Sequence, residues 1–170
     1  MKRGFTLIEI VVTLVIIGIM ASVASASSSM FRRKNDLKAV SMRALNVLKL
    51  ARSLAIISKT DICVKPVSDY KFDFCSGEPA VVGDRANFIK AKLKNLMQKD
   101  IKVNNASLNP SGINIKFNSR GLRDPGASSY LRFTAADEAG ENVANYLIQI
   151  SLSGVMRFCN ADSSTATKCD

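Results

Sequence analysis

The sequence contains no histidine. That absence removes serine–histidine and cysteine–histidine nucleophilic sites and most catalytic zinc sites, all of which need an imidazole. Phosphate-binding glycine loops are missing too: neither GxGxxG nor GxxxxGK[ST] occurs. Low-complexity stretches and internal repeats are absent. Asp137, Glu138 and Glu141 cluster, but Gly140 and Asn142 mark a turn there, and the oxygen-ligand pattern of a calcium loop is incomplete. These residues give no reason to expect an enzyme, a cofactor or a metal.

What is present bounds the architecture. A chain of 170 residues suits one anchored domain. With the first 30 set aside, about 140 remain, enough for a modest core. The net charge is +10 and unevenly spread. From Arg32 to Lys59 lie eight basic residues (Arg32, Arg33, Lys34, Lys38, Arg43, Lys49, Arg52 and Lys59) against one acid, Asp36. From Asp61 onward 14 basic residues face 12 acidic ones, a net of +2. Such a basic stripe is compatible with nucleic acid, with anionic lipid, or with a solvated face paired to acidic neighbours.

Phe5–Ala26 is an apolar run of 22 residues whose single charge is Glu9. As a helix it would extend about 33 Å, enough for a bilayer. In a secretory signal peptide, Lys2 and Arg3 would be the basic end and Ala24-Ser25-Ala26 the cleavage site, but Glu9 would interrupt the apolar region. In an ordinary anchor, an acid at mid-helix costs about 2.5–3.5 kcal/mol on insertion scales; near the helix N-terminus it reaches the interface and the positive dipole end. Orientation is divided: Lys2 and Arg3 favour a cytoplasmic N-terminus, yet Arg32, Arg33 and Lys34 flank the other end.

Beyond the run, five serines in 22–29 suggest a soft point in a longer helix. From Asp36 to Ser58, Leu37, Val40, Ala44, Val47, Leu48, Ala51, Leu54 and Ala55 recur at helical spacing, which predicts an amphipathic helix packed on a head. Asp61–Lys65 and Tyr70–Cys75 alternate as a β-hairpin around Pro66–Asp69. Asp84 is placed to cap a helix with Phe88, Ile89, Leu93, Leu96 and Met97 on its apolar face. Strands are predicted at Ile113–Phe117, Tyr130–Thr134 and Asn145–Leu152, the last joined through Ser153-Gly154 to Val155–Phe158. A long helix followed by antiparallel strands is α+β.

Cys63, Cys75, Cys159 and Cys169 allow three pairings and show no CxxC spacing. Local pairing is simplest, Cys63 with Cys75 across the hairpin and Cys159 with Cys169 closing a polar tail. Each loop of this size contributes about 3 kcal/mol in the chain-entropy model. Disulfides place the head in an oxidising compartment; the alternatives are four reduced thiols or a four-thiolate zinc site.

Gly4-Phe5-Thr6-Leu7-Ile8-Glu9 resembles the G-F-T-L-I-E processing site of type IV prepilins. The resemblance implies a leader, 1–4, removed by a prepilin peptidase between Gly4 and Phe5, with N-methylation of Phe5. It implies a transmembrane and assembly helix over 5–30 and a periplasmic head over 31–170 that includes the amphipathic half of the helix. In a filament, Glu9 would meet the Phe5 amine of a neighbouring pilin or pseudopilin, because a carboxylate in a low-dielectric bundle needs an opposite charge. An inner-membrane assembly platform is the further partner implied. Many type IV pilins have a proline in the 22–29 region; this chain has none.

The head resembles the GspH/FimT branch of pilins and pseudopilins. Ala51-Arg52-Ser53-Leu54-Ala55 matches A-R-S-x-A, Ile115–Gly121 matches I-x-F-x-x-x-G, and Ile150–Gly154 matches a closing I-x-x-S-G hairpin; residues 76–112 match nothing. The resemblance implies a structural subunit of a type IV pilus or of a type II secretion system. Some members bind DNA during natural transformation through G-R-x-R. Here that stretch is Gly154-Val155-Met156-Arg157, so Arg157 alone matches, and Lys168, Arg120, Arg123 and Arg132 are the candidates to complete a basic face.

Overall fold

The computed structural model describes residues 6–67, 71–98, 106–109, 114–136, 142–161 and 168–169. Its elements are α1 (Leu7–Ser58), β1 (Ile62–Pro66), β2 (Phe72–Phe74), α2 (Asp84–Gln98), β3 (Ala106–Asn109), β4 (Ile115–Phe117), β5 (Tyr130–Ala136), β6 (Asn142–Ile150) and β7 (Met156–Asn160). The architecture is α+β, as the sequence predicts. One antiparallel sheet has the order β2-β1-β4 and a second the order β3-β5-β6-β7.

The long helix α1 starts at Thr6, whose backbone is extended (φ −79°, ψ 150°) and whose Oγ1 accepts from the Glu9 amide at 3.4 Å. No proline lies within it, and the backbone stays helical through 22–29. The soft point expected there does not interrupt the helix. Ser22 Oγ donates to the Ile19 carbonyl at 2.7 Å, so this hydroxyl is satisfied along the helix without breaking its ladder. The helix ends at Lys59, in the left-handed region at φ 53°.

All eight residues of the predicted stripe, from Leu37 to Ala55, are buried and join one core with Ile62, Val64, Phe72, Phe74, Ile115, Phe117, Leu131, Phe133, Tyr146, Ile148 and Ile150. Both sheets therefore close on the same helical face. Burying a Leu or Phe side chain contributes about 1.5–3 kcal/mol, so this seam dominates the head. Tyr146 stacks on Phe158 at 5.5 Å between ring centroids.

Three segments that are distant in sequence meet at the end of α1. Arg52 Nε donates to the Gly121 carbonyl at 2.9 Å and Arg52 Nη2 to the Ser153 carbonyl at 3.1 Å. Gly121 and Gly154 both have positive φ, 77° and 76°. A Cβ on Gly154 would lie 2.1 Å from the Gly121 oxygen, so the two turns approach too closely for any side chain at this point. The matches to A-R-S-x-A, I-x-F-x-x-x-G and I-x-x-S-G are thus one structural knot. The loop between β4 and β5 completes the seam. Asp124 N donates to Lys116 O in the first sheet at 2.9 Å, and Arg123 N to Leu152 O beside the second at 3.0 Å.

Several expectations need correction. In α2 the buried residues are Ala86, Leu93 and Met97, with Ile89 and Leu96 partly covered. Phe88 points away and is 69% exposed, because its position is rotated off the face that α1 covers. Asp84 is the first helical residue rather than the cap; the Gly83 carbonyl accepts from Asn87 N. Strand β3 has no counterpart in the sequence reading. Asp137, Glu138, Glu141 and Tyr70 lie outside the described residues.

Candidate assembly helix and basic sheet face

Two regions carry the predicted functional residues. The first is the start of α1. Thr6 and Glu9 have the spacing of a helix capping box, with the threonine three residues before an acid. The observed Glu9 amide bond to Thr6 Oγ1 is one half of that device. Glu9 sits in the first turn, at the positive end of the helix dipole, and its side chain is exposed. From Leu7, at 83% exposure, to Met20 the large apolar side chains are exposed all round the helix, and the head covers none of them. Among the described residues, no helix is long and apolar enough to cross a membrane. Gly4 and Phe5 lie outside the described residues.

The second region is the outer face of the four-stranded sheet. Tyr146, Ile148 and Ile150 of β6 face the core, so Leu147 and Gln149 lie on the opposite face by alternation, Leu147 fully covered there and Gln149 half-buried. Register carries this across the sheet: Arg157 lies opposite Gln149, and Cys159 and Arg132 both lie opposite Leu147. The Cys159–Cys169 disulfide, with Cα atoms 5.8 Å apart, folds the chain end onto this face, and Cys169 N donates to Gln149 Oε1 at 3.4 Å. Cys169 Sγ lies 4.0 Å from the Arg157 carbonyl oxygen, and Arg157 and Lys168, the residue before Cys169, are both exposed. A concavity of about 350 Å³ lined by Gln149, Ser151, Ser153, Val155 and Arg157 opens on this face.

The other basic candidates divide. Arg120 is exposed in the turn before Gly121. Arg123 is buried: its Nη1 donates to the carbonyls of Asp124 and Ala127, folding the loop on itself. Arg132 is also buried, with its guanidinium carbon 5.6 Å from the centre of the Tyr130 ring. Neither is a solvent-facing phosphate ligand, because each is already engaged within the fold. Arg43, part of the basic stripe, is likewise structural. It is buried and donates through Nε to Leu96 O at 2.7 Å and through Nη2 to Met97 O at 3.2 Å. A cation there satisfies the orphan carbonyls and the negative dipole end of α2. Sequence reasoning missed this, since nothing local to Arg43 signals a helix end more than fifty residues away.

The remaining electrostatics are superficial. Asp61, 3.1 Å from Lys116, raises the lysine pKa, and Lys94 holds the Glu78 carboxyl below its ordinary range. Cys63 and Cys75, Cα atoms 5.4 Å apart, are bonded across β1 and β2 as expected. The described residues contain no group of three or more histidine, cysteine, aspartate or glutamate side chains placed to hold a metal.

No curated protein matches the chain. Among solved structures it is similar to the type IV minor pilin FimU of Pseudomonas aeruginosa, at 14% identity over 78% of this chain and 98% of that one, with a TM-score of 0.48. The family described as prokaryotic N-terminal methylation motif matches residues 1–25. That match covers Gly4, Phe5 and Glu9 together with the exposed start of α1.

Proposed function

We propose that this chain is a minor pilin or pseudopilin, a structural subunit that primes, caps or decorates a type IV pilus or related filament. In this reading a prepilin peptidase cuts between Gly4 and Phe5 and the new Phe5 amine is methylated. The subunit waits in the inner membrane with its head in the periplasm. An assembly platform then moves it into a filament, where α1 packs against its neighbours. The observation that carries this reading is Glu9: an exposed carboxylate in the first turn of a helix that is apolar on every side, within the methylation-motif segment. In a helical bundle that carboxylate needs a cation, and the amine of an adjacent subunit's Phe5 supplies it. Glu9→Ala should abolish incorporation into the filament while leaving the head folded; unchanged incorporation would refute the charge contact. The same chemistry serves a subunit of a type II secretion system.

A second reading, DNA capture for natural transformation, is favoured by one observation: the tail disulfide holds Cys169 against the sheet face of Arg157, which lines a concavity there, with Lys168 exposed one residue away in sequence. Val155 stands where an arginine of G-R-x-R would be, so one phosphate contact is lost. A gel-shift titration of the full chain in detergent at two salt concentrations tests it. DNA binding that weakens with salt and falls in Arg157→Gln supports capture, and no shift at low salt eliminates it.

A further inference from the structure

The basic residues just above the apolar run have no role in the reading so far. Helix α1 enters the head at Leu37, which is fully buried. Immediately before it, Met30 is 55% and Phe31 67% exposed, and Arg32, Lys34 and Asn35 are exposed as well. No hydrogen bond or ion pair reaches Arg32 or Lys34 among the described residues. Asp36 is the single acid of this stretch. An aromatic ring followed by Arg32 and Lys34, two cations with no partner among the described residues, forms a collar at the end of a long apolar helix.

We propose that this collar, Met30–Lys34, is a docking surface for anionic phospholipid headgroups of the leaflet beneath the head. The inference rests on the membrane-held precursor proposed above. Helical geometry sets the height: Leu7 to Phe31 is 24 steps, or about 36 Å along the axis. A bilayer's hydrocarbon is about 30 Å thick, and about 40–45 Å with its headgroup regions. With Leu7 at one hydrocarbon boundary, Phe31 emerges within the opposite headgroup layer. Arg32 then stands at the outer edge of that layer, and Lys34, about 3 Å higher, reaches back toward the phosphates because helical side chains lean toward the N-terminus. A phenylalanine ring buries at the boundary of headgroups and acyl chains, and clustered lysine and arginine beside a spanning helix attract anionic lipid. Nucleic acid is the poorer occupant, because the bilayer's own phosphates at the same height repel it. The collar also accounts for the cations at both ends of the apolar run. Those beneath the head serve as a lipid contact rather than a cytoplasmic signal.

The chain has no tryptophan, so a single introduced indole reports its own environment. The full chain is reconstituted into vesicles of phosphatidylcholine, with and without phosphatidylglycerol, as Ile16→Trp and separately as Phe31→Trp. Ile16→Trp should emit at short wavelength in both lipids, which reads the anchor alone. Phe31→Trp should emit at shorter wavelength in the anionic vesicles than in the neutral ones. Salt should reduce that difference, and adding R32Q and K34Q should remove it. Identical Phe31→Trp emission in the two lipids, or a difference that survives loss of both cations, overturns the collar while leaving the anchor intact. Water-like emission from Ile16→Trp in both lipids overturns the anchor and the collar together.

Discussion

Leu7–Met20 and Leu37–Ala55 lie on one unbroken helix, and both are rich in apolar residues, Leu, Ile and Val in the first and Leu, Val and Ala in the second. The second stretch has polar and basic residues between its apolar ones, so it presents a stripe, and the two sheets together with α2 bury that stripe completely. The first stretch is apolar on every side and stays exposed on every side. A striped helix needs one apolar neighbour, and the head provides it. A helix that is apolar all round needs an apolar surround, which a single folded head does not supply. The distinction lies in periodicity rather than hydrophobicity. It divides the helix into a part that builds the domain and a part whose surroundings come from other molecules.

The sharpest way to break that division is truncation on either side of it. Leu48→Ala should lower the head's stability by about 2–5 kcal/mol, as buried leucine truncations do. Leu14→Ala should change it by no more than about 0.5 kcal/mol. Denaturant unfolding of the full chain in detergent compares the two, and equal losses would erase the division. Removing the tail disulfide by Cys159→Ser with Cys169→Ser should cost about 3 kcal/mol in the chain-entropy model, again in the head alone.

Glycines sharpen the contrast further. Gly154→Ala should cost about 1–3 kcal/mol from its positive φ, with the approach to Gly121 adding to it. Gly18→Ala, mid-helix with open space around it, should stabilise α1 by about 0.5–1 kcal/mol, read as increased helicity by circular dichroism in detergent. If the two substitutions had the same sign, the knot around Arg52 would be misassigned.

The smallest effect is that of pH on the surface pairs of the head. Lys94 lowers the Glu78 pKa below 4.5, so that pair's contribution is present above 4.5 and lost as pH falls through the lowered value. Asp61 raises the Lys116 pKa above 10.5, so its contribution is present below 10.5 and lost as pH rises through the raised value. Stability profiles of Glu78→Gln and Lys116→Met should each lose one shoulder, acidic and alkaline respectively. Both shoulders should shrink with salt, since the groups are exposed.

Much of the fold was legible because it is written locally. The period of Leu37–Ala55 gave the buried face residue by residue, and the alternation around Cys63 and Cys75 gave a hairpin that brings the two sulfurs together. The apolar run with its lone acid was legible for the same reason. The fates of the arginines were not. Arg43 caps a helix that begins forty residues later, Arg52 bridges turns at Gly121 and Ser153, and Arg123 and Arg132 are engaged inside the head. A guanidinium's partner carbonyls come from distant chain, so composition reads each of these as surface charge. Phe88 departs in the opposite direction: helical spacing puts this aromatic on the apolar face, yet the buried face of α2 is set by where α1 lies. Strand β3, Ala-Ser-Leu-Asn, has no alternating apolar pattern of its own and owes its existence to pairing with β5.

The central claim is that the exposed half of α1 is matured for assembly, with Glu9 answering a newly made amine. N-terminal sequencing and mass measurement of the protein taken from its native cell test this most directly. The account predicts a chain beginning at an N-methylated Phe5. An intact Met1, or a start at Ser27 after removal of the whole apolar run, would contradict it.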